Sequence, residues 1–405
     1  MAAVDPGQVW IDARQPAGAW QLWGMSLVER QLRQAARRGF SRVRLWISPA
    51  SQHLLPRLRP DLERLFPVQL EVSTAEHHGL LCAALEQVDT PVLLLPGDLV
   101  WDERLLGHLL AKGPGTAIAA AGGETLAYLR PAQAHALGQH WASTGDLAAA
   151  LDQAELQRSR PADLDPYVPS LRLTMPPYLL RAREESQLPA LDHLLYHRTF
   201  KGVIDAVARY GYYHLVRWIT RQLSRTSLAP NLFTALSIAA IWAAVPCFAA
   251  GELGLGVLVA WLGVILDSVD GKLARLTLHL SAMPALGLWY LGLGWHCSGG
   301  NLFKDTPLAL ATWVLVGAFV LDKVVSGTFK KRQRKEIFDY RPVDAAFHLI
   351  AARRNISLLQ LSVGVALDQA HLALVLMSAW MVCTLLFHAG RWLWVELEER
   401  QVQVQ

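Results

Sequence analysis

Between residues 231 and 390 the sequence repeats apolar runs of roughly 17 to 22 residues, the length that crosses the hydrocarbon core of a bilayer. Soluble cores rarely repeat runs of this length. In lipid every backbone amide must be satisfied within the protein, so such runs are expected to be helices. The pattern predicts an all-α membrane domain of six transmembrane helices, over about 231–250, 254–269, 282–297, 307–326, 356–370 and 372–390. The connections "GELG" and "DQAH" carry no Lys or Arg, and "CSGGNLFKDT" carries only Lys304. The other side is basic. It holds Lys201, Arg209, Arg217, Arg221 and Arg225 before span one, Lys272 and Arg275 after span two, "FKKRQRK" and "AARRN" after span four, and Arg391 after span six. The positive-inside rule then predicts a multi-pass protein of a bacterial-type inner (plasma) membrane with both termini cytosolic.

The first half of the chain is mixed polar and apolar, so a soluble domain is expected ahead of the membrane domain. The boundaries read as 1–195 for a cytosolic domain, 196–229 for an amphipathic interfacial helix or linker, 230–392 for the membrane domain and 393–405 for a cytosolic tail. Over 201–228, Val203, Ile204, Val207, Leu215, Val216, Ile219 and Leu223 recur at helical spacing with arginines between them, which predicts a helix lying on the inner leaflet. The start of the chain lacks the basic-then-apolar pattern of a signal peptide. A net charge of +4, with no basic stripe interleaved with aromatics away from the membrane flanks, excludes nucleic acid as a partner. Cys82, Cys247, Cys297 and Cys383 are too scattered for a disulfide framework or a metal knuckle.

In the soluble half, "GMSLVERQLRQAARRG", "HHGLLCAALEQ" and "DERLLGHLLAK" read as helices. "FSRVRLWIS", "VQLEVST", "PVLLLPGD" and "TAIAAA" read as strands. The alternation predicts an α/β, Rossmann-like domain on a parallel sheet, with Asp98 at the carboxyl end of a buried strand, where ligands bind such sheets. Over about residues 8–130 the order of pieces resembles a sugar-nucleotidyltransferase domain, "LLLPGDLVWDERLL" standing where that family has its metal-aspartate strand. The family's Gly-rich basic phosphate loop has no counterpart. In "IDARQPAGAWQLWGMS", Gly18 is isolated and Arg14 is the only basic residue, so the domain reads as degenerate for CTP.

The chemistry concentrates in "LDSVDGKLARL". Asp267 and Asp270 share one helix face, Gly271 and Ala274 leave room against the backbone, and Arg275 follows one turn later. Two carboxylates, small residues and an arginine at the end of a span suit a metal-bound diphosphate. Ionisable groups at membrane depth are costly, so a functional role is the default reading.

These residues resemble the CDP-alcohol phosphotransferase (phosphatidyltransferase) signature, Asp-x-x-Asp-Gly-x-x-Ala-Arg followed at fixed spacing by Gly, Asp and Asp. Asp267, Asp270, Gly271, Ala274 and Arg275 match it, and "APNLFT", with Pro230, Asn231 and Thr234, is similar to the family's start of span one. A nucleotidyltransferase-like domain fused ahead of it resembles enzymes that make and use CDP-inositol. The resemblance implies Mg²⁺ or Mn²⁺ on Asp267 and Asp270, and contacts to nucleotide and phosphate from Pro230, Asn231, Thr234, Gly271, Ala274, Arg275, Arg353 and Arg354. It further implies a homodimer in membrane lipid, and transfer of a phospho-alcohol from a CDP-activated alcohol or lipid to an alcohol acceptor with release of CMP.

The second half of the signature departs from the family. Pro284 stands at its glycine, Leu288 and Gly292 at its last two aspartates, and residues 276–304 contain no Asp or Glu. His279 and Asp322 are the replacements the sequence offers for the missing catalytic groups. The competing expectation is a homologue without catalysis that binds nucleotide or lipid, or scaffolds a partner enzyme. A transporter finds little support, since no pair of broken helices and no repeat of spans is present.

Overall fold

The computed structural model describes residues 6–54, 69–226, 228, 230–278 and 289–404. The chain divides into two compact units, Met1–Tyr167 with Thr174–Leu195, and Val168–Leu173 with Tyr196–Gln405.

The first unit is an α/β domain. Its sheet runs through β1 (Gln8–Ala13), β2 (Arg42–Ile47), β3 (Gln69–Thr74), β4 (Val92–Pro96), β5 (Thr116–Ala119), β6 (Thr125–Leu129) and β7 (Gln157–Ser159), in the order β7-β5-β6-β4-β1-β2-β3. Helices α1 (Leu27–Arg37), α2 (Gly79–Leu85), α3 (Glu103–Lys112), α4 (Pro131–Thr144) and α5 (Leu147–Gln153) pack on it. Side chains alternate across each strand. Val9 and Ile11 enter a core shared with Leu32 of α1 and Leu105 of α3, while Trp10 enters the opposite core with Leu81 of α2 and Leu137 of α4. Burial on both faces explains why the central strands read as continuous apolar runs.

The sheet is mixed rather than parallel, because β6 runs antiparallel to both β4 and β5. The connection from β5 to β6 is only residues 120–124, closed by Ala120 N donating to Glu124 O at 2.9 Å, with Gly123 at φ +86°. So short a link makes a hairpin, and a parallel return needs a crossover of a dozen or more residues.

The second unit is helical. After α6 (Tyr213–Leu223) come α7 (Pro230–Ala249), α8 (Leu253–Leu276), α9 (Trp289–Cys297), α10 (Pro307–Gln333), α11 (Pro342–His348), α12 (Arg354–Ala366) and α13 (Ala370–Val404). Among the described residues, four helices are long and apolar enough to cross a membrane: α7, α8, α10, and α13 over Ala370–Arg400. The third and fifth expected spans correspond to α9, with 9 described helical residues, and α12, with 13. Helix α12 is shorter than the roughly 20 residues of a full crossing, and α9 is described only from Trp289 onward.

The single helix expected over 201–228 is interrupted. Val207–Gly211 form a π-helical turn and the α-helix begins only at Tyr213. The cause is Asp205, which is drawn inward to Asn355 (2.7 Å) while also accepting from Ala208 N (2.9 Å). From there α6 buries Val216 and Thr220 and leaves Leu215 and Trp218 exposed.

The long helices approach closely where residues are small. A Cβ on Gly263 of α8 would lie 2.7 Å from Ile241 Cγ1 and 3.1 Å from Ser237 O of α7. Ser237 Oγ donates to Gly263 O at 3.0 Å, so the contact is both packed and hydrogen-bonded. Gly263→Leu is therefore expected to destabilise the unit by about 1–3 kcal/mol through overpacking. Gly317→Leu on α10, with no neighbour within 4 Å, is expected to leave stability near that of the wild type. Thermal unfolding in detergent distinguishes the two.

Candidate functional site

Helix α8 carries Asp267 and Asp270 one turn apart near its C-terminal end, and each is held differently. Asp270 is 5% exposed, and Thr234 Oγ1 in the first turns of α7 donates to its Oδ2 at 2.5 Å. Asp267 pairs with Arg354, whose Nη2 lies 2.6 Å from Oδ2 at the start of α12. Three helices separated in sequence thus converge on this pair of carboxylates.

Gly271 and Arg275 fit together. A Cβ at Gly271 would lie 3.1 Å from Arg275 Nη2, so glycine lets the guanidinium fold along the helix. Arg275 Nε is buried and makes no hydrogen bond among the described residues. Ala274 is buried against the helix interface, consistent with a small-residue requirement. Pro230 is buried at the start of α7, whereas Asn231 beside it is exposed. His279 lies outside the described residues.

The two adjacent arginines diverge. Arg354 reaches Asp267, while Arg353 Nη1 donates to His348 Nε2 at 2.6 Å and lies 6.0 Å from the Phe338 ring. Burial, and then the Arg353 charge, push His348 down to about 2, so it stays neutral. Burial also lowers Arg353 below the ordinary guanidinium value. Asn355, the next residue, donates from Nδ2 to Asp205 Oδ2 (2.7 Å) and to Tyr212 OH (2.8 Å). This network ties the start of α12 to the segment ahead of α6.

Asp322 of α10 is buried beside His388 of α13, whose Nδ1 donates to Asp322 Oδ1 at 2.6 Å. Both line a cavity of about 460 Å³, together with Arg353, Arg354, Lys330 and Tyr290. His388 was missed in the sequence although a signal existed. It is the only His, Asp, Glu, Lys or Arg in the apolar run 372–390. Asp205 gave no such signal, because its role comes from a partner 150 positions away.

The last signature position, Gly292, is set by packing. A Cβ on Gly292 of α9 would lie 2.3 Å from the Val245 carbonyl oxygen of α7, and one on Gly294 would lie 2.3 Å from Thr312 Cγ2 of α10. Helix α9 is wedged by glycine between two long helices, and Gly292 has no space for a carboxylate. Leu288 lies outside the described residues. Among the described residues no cluster of three His, Cys, Asp or Glu exists. Among the described residues, Asp267 and Asp270 offer carboxylates that fit one ion completed by phosphate oxygens and water, as Mg²⁺ is commonly bound.

In the first unit, Asp12 at the end of β1 is gripped by Arg14 through two contacts of 2.7 and 2.8 Å. The one basic residue of the would-be phosphate loop is thereby engaged. Gly18 sits in a 3₁₀ turn, Pro16–Ala19, and a Cβ there would lie 2.9 Å from Val28 Cγ2, so this glycine serves packing. Asp98 faces Arg181 at 3.4 Å, and burial raises its carboxyl above the usual range against the pull of that arginine.

Two outcomes follow. Gly292→Asp, which restores a signature aspartate, is expected to lower the melting temperature and to yield no gain in activity, because overpacking against backbone costs about 1–3 kcal/mol or more. The low pKa of His348 means the unfolded chain takes up a proton below about 6.5 that the folded chain refuses. Stability should therefore fall as pH drops from 7 to 5, by up to about 1.4 kcal/mol per pH unit from this group. His348→Gln should flatten that dependence in thermal melts.

Comparison with known proteins agrees with this geometry for one stretch. No curated protein matches the chain. Among solved structures, the crystal structure of HddC from Yersinia pseudotuberculosis is similar at 8% identity, covering 46% of this chain and 99% of that one, with a TM-score of 0.32, a likeness too slight to carry an argument. Residues 227–286, which supply Thr234, Asp267, Asp270, Gly271, Ala274 and Arg275, match the CDP-alcohol phosphatidyltransferase family model.

Proposed function

We propose that the second unit is a membrane phosphotransferase that takes a CDP-activated alcohol or lipid and transfers its phospho-alcohol to an alcohol acceptor, releasing CMP. The observation that carries this reading is the pairing on α8. Asp270 is fixed by Thr234, Asp267 is balanced by Arg354, and the Arg275 guanidinium runs along Gly271 with its Nε buried and unpartnered among the described residues. This is a site prepared for one cation and one polyanion. Asp267 and Asp270 would hold Mg²⁺ or Mn²⁺, which supplies charge neutralisation for the diphosphate. Thr234 occupies one oxygen of Asp270 and so orients the other. Arg275 offers its donors to phosphate oxygens, and Arg354 stands in for a cation at Asp267. The positive-inside pattern supports placing this end of α8, and both termini, in the cytosol of a bacterial-type inner membrane. The same reading makes residues 1–195 a degenerate nucleotidyltransferase-like domain, with Arg14 locked on Asp12 in support.

A second reading has its own observation. Gly292 packed on the Val245 carbonyl, with no Asp or Glu in 276–304, favours a homologue that binds CDP compounds without turning them over.

Calorimetric titration of CDP into the detergent-purified full chain with Mn²⁺ tests what both readings share. Metal-dependent binding is expected in the wild type and its loss in Asp270→Asn. Absence of binding in the wild type would sink both. CMP release from a bound CDP-alcohol then separates the transferase from the silent homologue.

A further inference from the structure

The signature's missing base leaves a specific chemical vacancy: something must take the proton from the attacking hydroxyl. A cavity in the second unit holds a histidine–carboxylate pair suited to that step. Its wall includes Arg354, which also grips Asp267, and Tyr290 of α9, two residues before Gly292. The cavity thus shares Arg354 with Asp267 and reaches the helix that carries the last signature position, while Asp267 and Asp270 are not part of its wall.

His388 faces this cavity from α13. Its Nδ1 donates to Asp322 Oδ1 at 2.6 Å, and both side chains are 8% exposed. A carboxylate on Nδ1 fixes the tautomer, so the neutral ring presents an Nε2 lone pair, the atom that accepts a proton. No described residue takes Nε2. The ring is held at its edge by Phe347, with centroids 6.1 Å apart at 82°. Carboxylates and cations both line the cavity, Asp205, Asp322 and Glu336 beside Lys323, Lys330, Arg353 and Arg354, and Arg391 lies one turn on along the helix of His388. Arg391 is itself satisfied by Asp344 at 2.5 and 2.9 Å.

We propose that His388, positioned by Asp322, is the proton acceptor for the acceptor alcohol. This rests on the transferase reading above. The alcohol O–H gives its proton to Nε2 as the oxygen forms a bond to the phosphorus that bears the donor's alcohol. The bond from that phosphorus to the CMP oxygen breaks, and CMP leaves with the electron pair. The imidazolium then returns the proton to water. No oxidant or further reactant is required.

The test uses the full chain in detergent micelles with Mn²⁺, CDP-diacylglycerol as donor, and glycerol, glycerol 3-phosphate or water as acceptor. Two quantities are read separately: CDP binding by calorimetry and CMP release. His388→Gln and His388→Ala are expected to keep metal-dependent CDP binding and to lose about 10²–10⁴-fold in CMP release. Free imidazole should restore part of the rate in His388→Ala, which a merely structural histidine would not permit. Asp322→Asn, which removes the carboxylate that positions the ring, is expected to lower CMP release while keeping metal-dependent CDP binding. Unchanged CMP release in His388→Gln overturns the proposal. So does a wild type that binds CDP with Mn²⁺ yet releases no CMP with any acceptor, an outcome that leaves the silent-homologue reading standing. Failure of the wild type to bind CDP at all overturns the function on which the proposal rests.

Discussion

A carboxylate near the end of a membrane-length helix must find a cation, a proton or a hydrogen-bond donor, because water is scarce and an isolated charge is costly there. Much of the second unit follows from how Asp267 and Asp270 meet that demand. Asp270 takes its donor from Thr234, which fixes α7 against α8. Asp267 takes Arg354, which fixes the start of α12 beside α8. Asn355, next in line, then anchors Asp205 and Tyr212, and this accounts for the break in the helix ahead of α6. The buried Asp322 repeats the logic with His388.

Close packing decides what the site lacks. Gly292 and Gly294 let α9 sit against the backbone of α7 and the side chain of Thr312 in α10. The same glycine that allows this contact removes the position where the family signature carries an aspartate. The chain keeps the signature residues of α8, and at the last signature position it has a helix contact in place of a carboxylate. The proton acceptor proposed above, His388, lines a cavity that Arg354 and Tyr290 also line.

Much of this was legible in the sequence, for identifiable reasons. The long apolar runs and the spacing of Asp267, Asp270, Gly271, Ala274 and Arg275 are local, and local patterns survive folding. Thr234 was reachable only through resemblance, since nothing in "APNLFT" announces a partner 36 residues away. Arg353 and Arg354 were expected to act together, yet adjacent residues at a helix start point apart, and one serves His348. The antiparallel β6 was missed because the short connection over 120–124 lacks a distinct strand pattern of its own. Asp205 and Asn355 were invisible, as their pairing spans 150 positions. His388 was visible as a lone ionisable group in an apolar run, but its meaning depends on Asp322.

The central claim is that Arg354 holds the place of a cation at Asp267. The affinity of the full chain for Mn²⁺ alone, without nucleotide, tests it most directly when wild type and Arg354→Gln are titrated side by side. If the arginine competes with the ion, the variant binds Mn²⁺ several-fold more tightly than the wild type, and the gain disappears in Arg354→Gln combined with Asp267→Asn. Equal or weaker binding by the single variant would contradict the account and leave the Asp267–Arg354 pair as a structural tie between two helices.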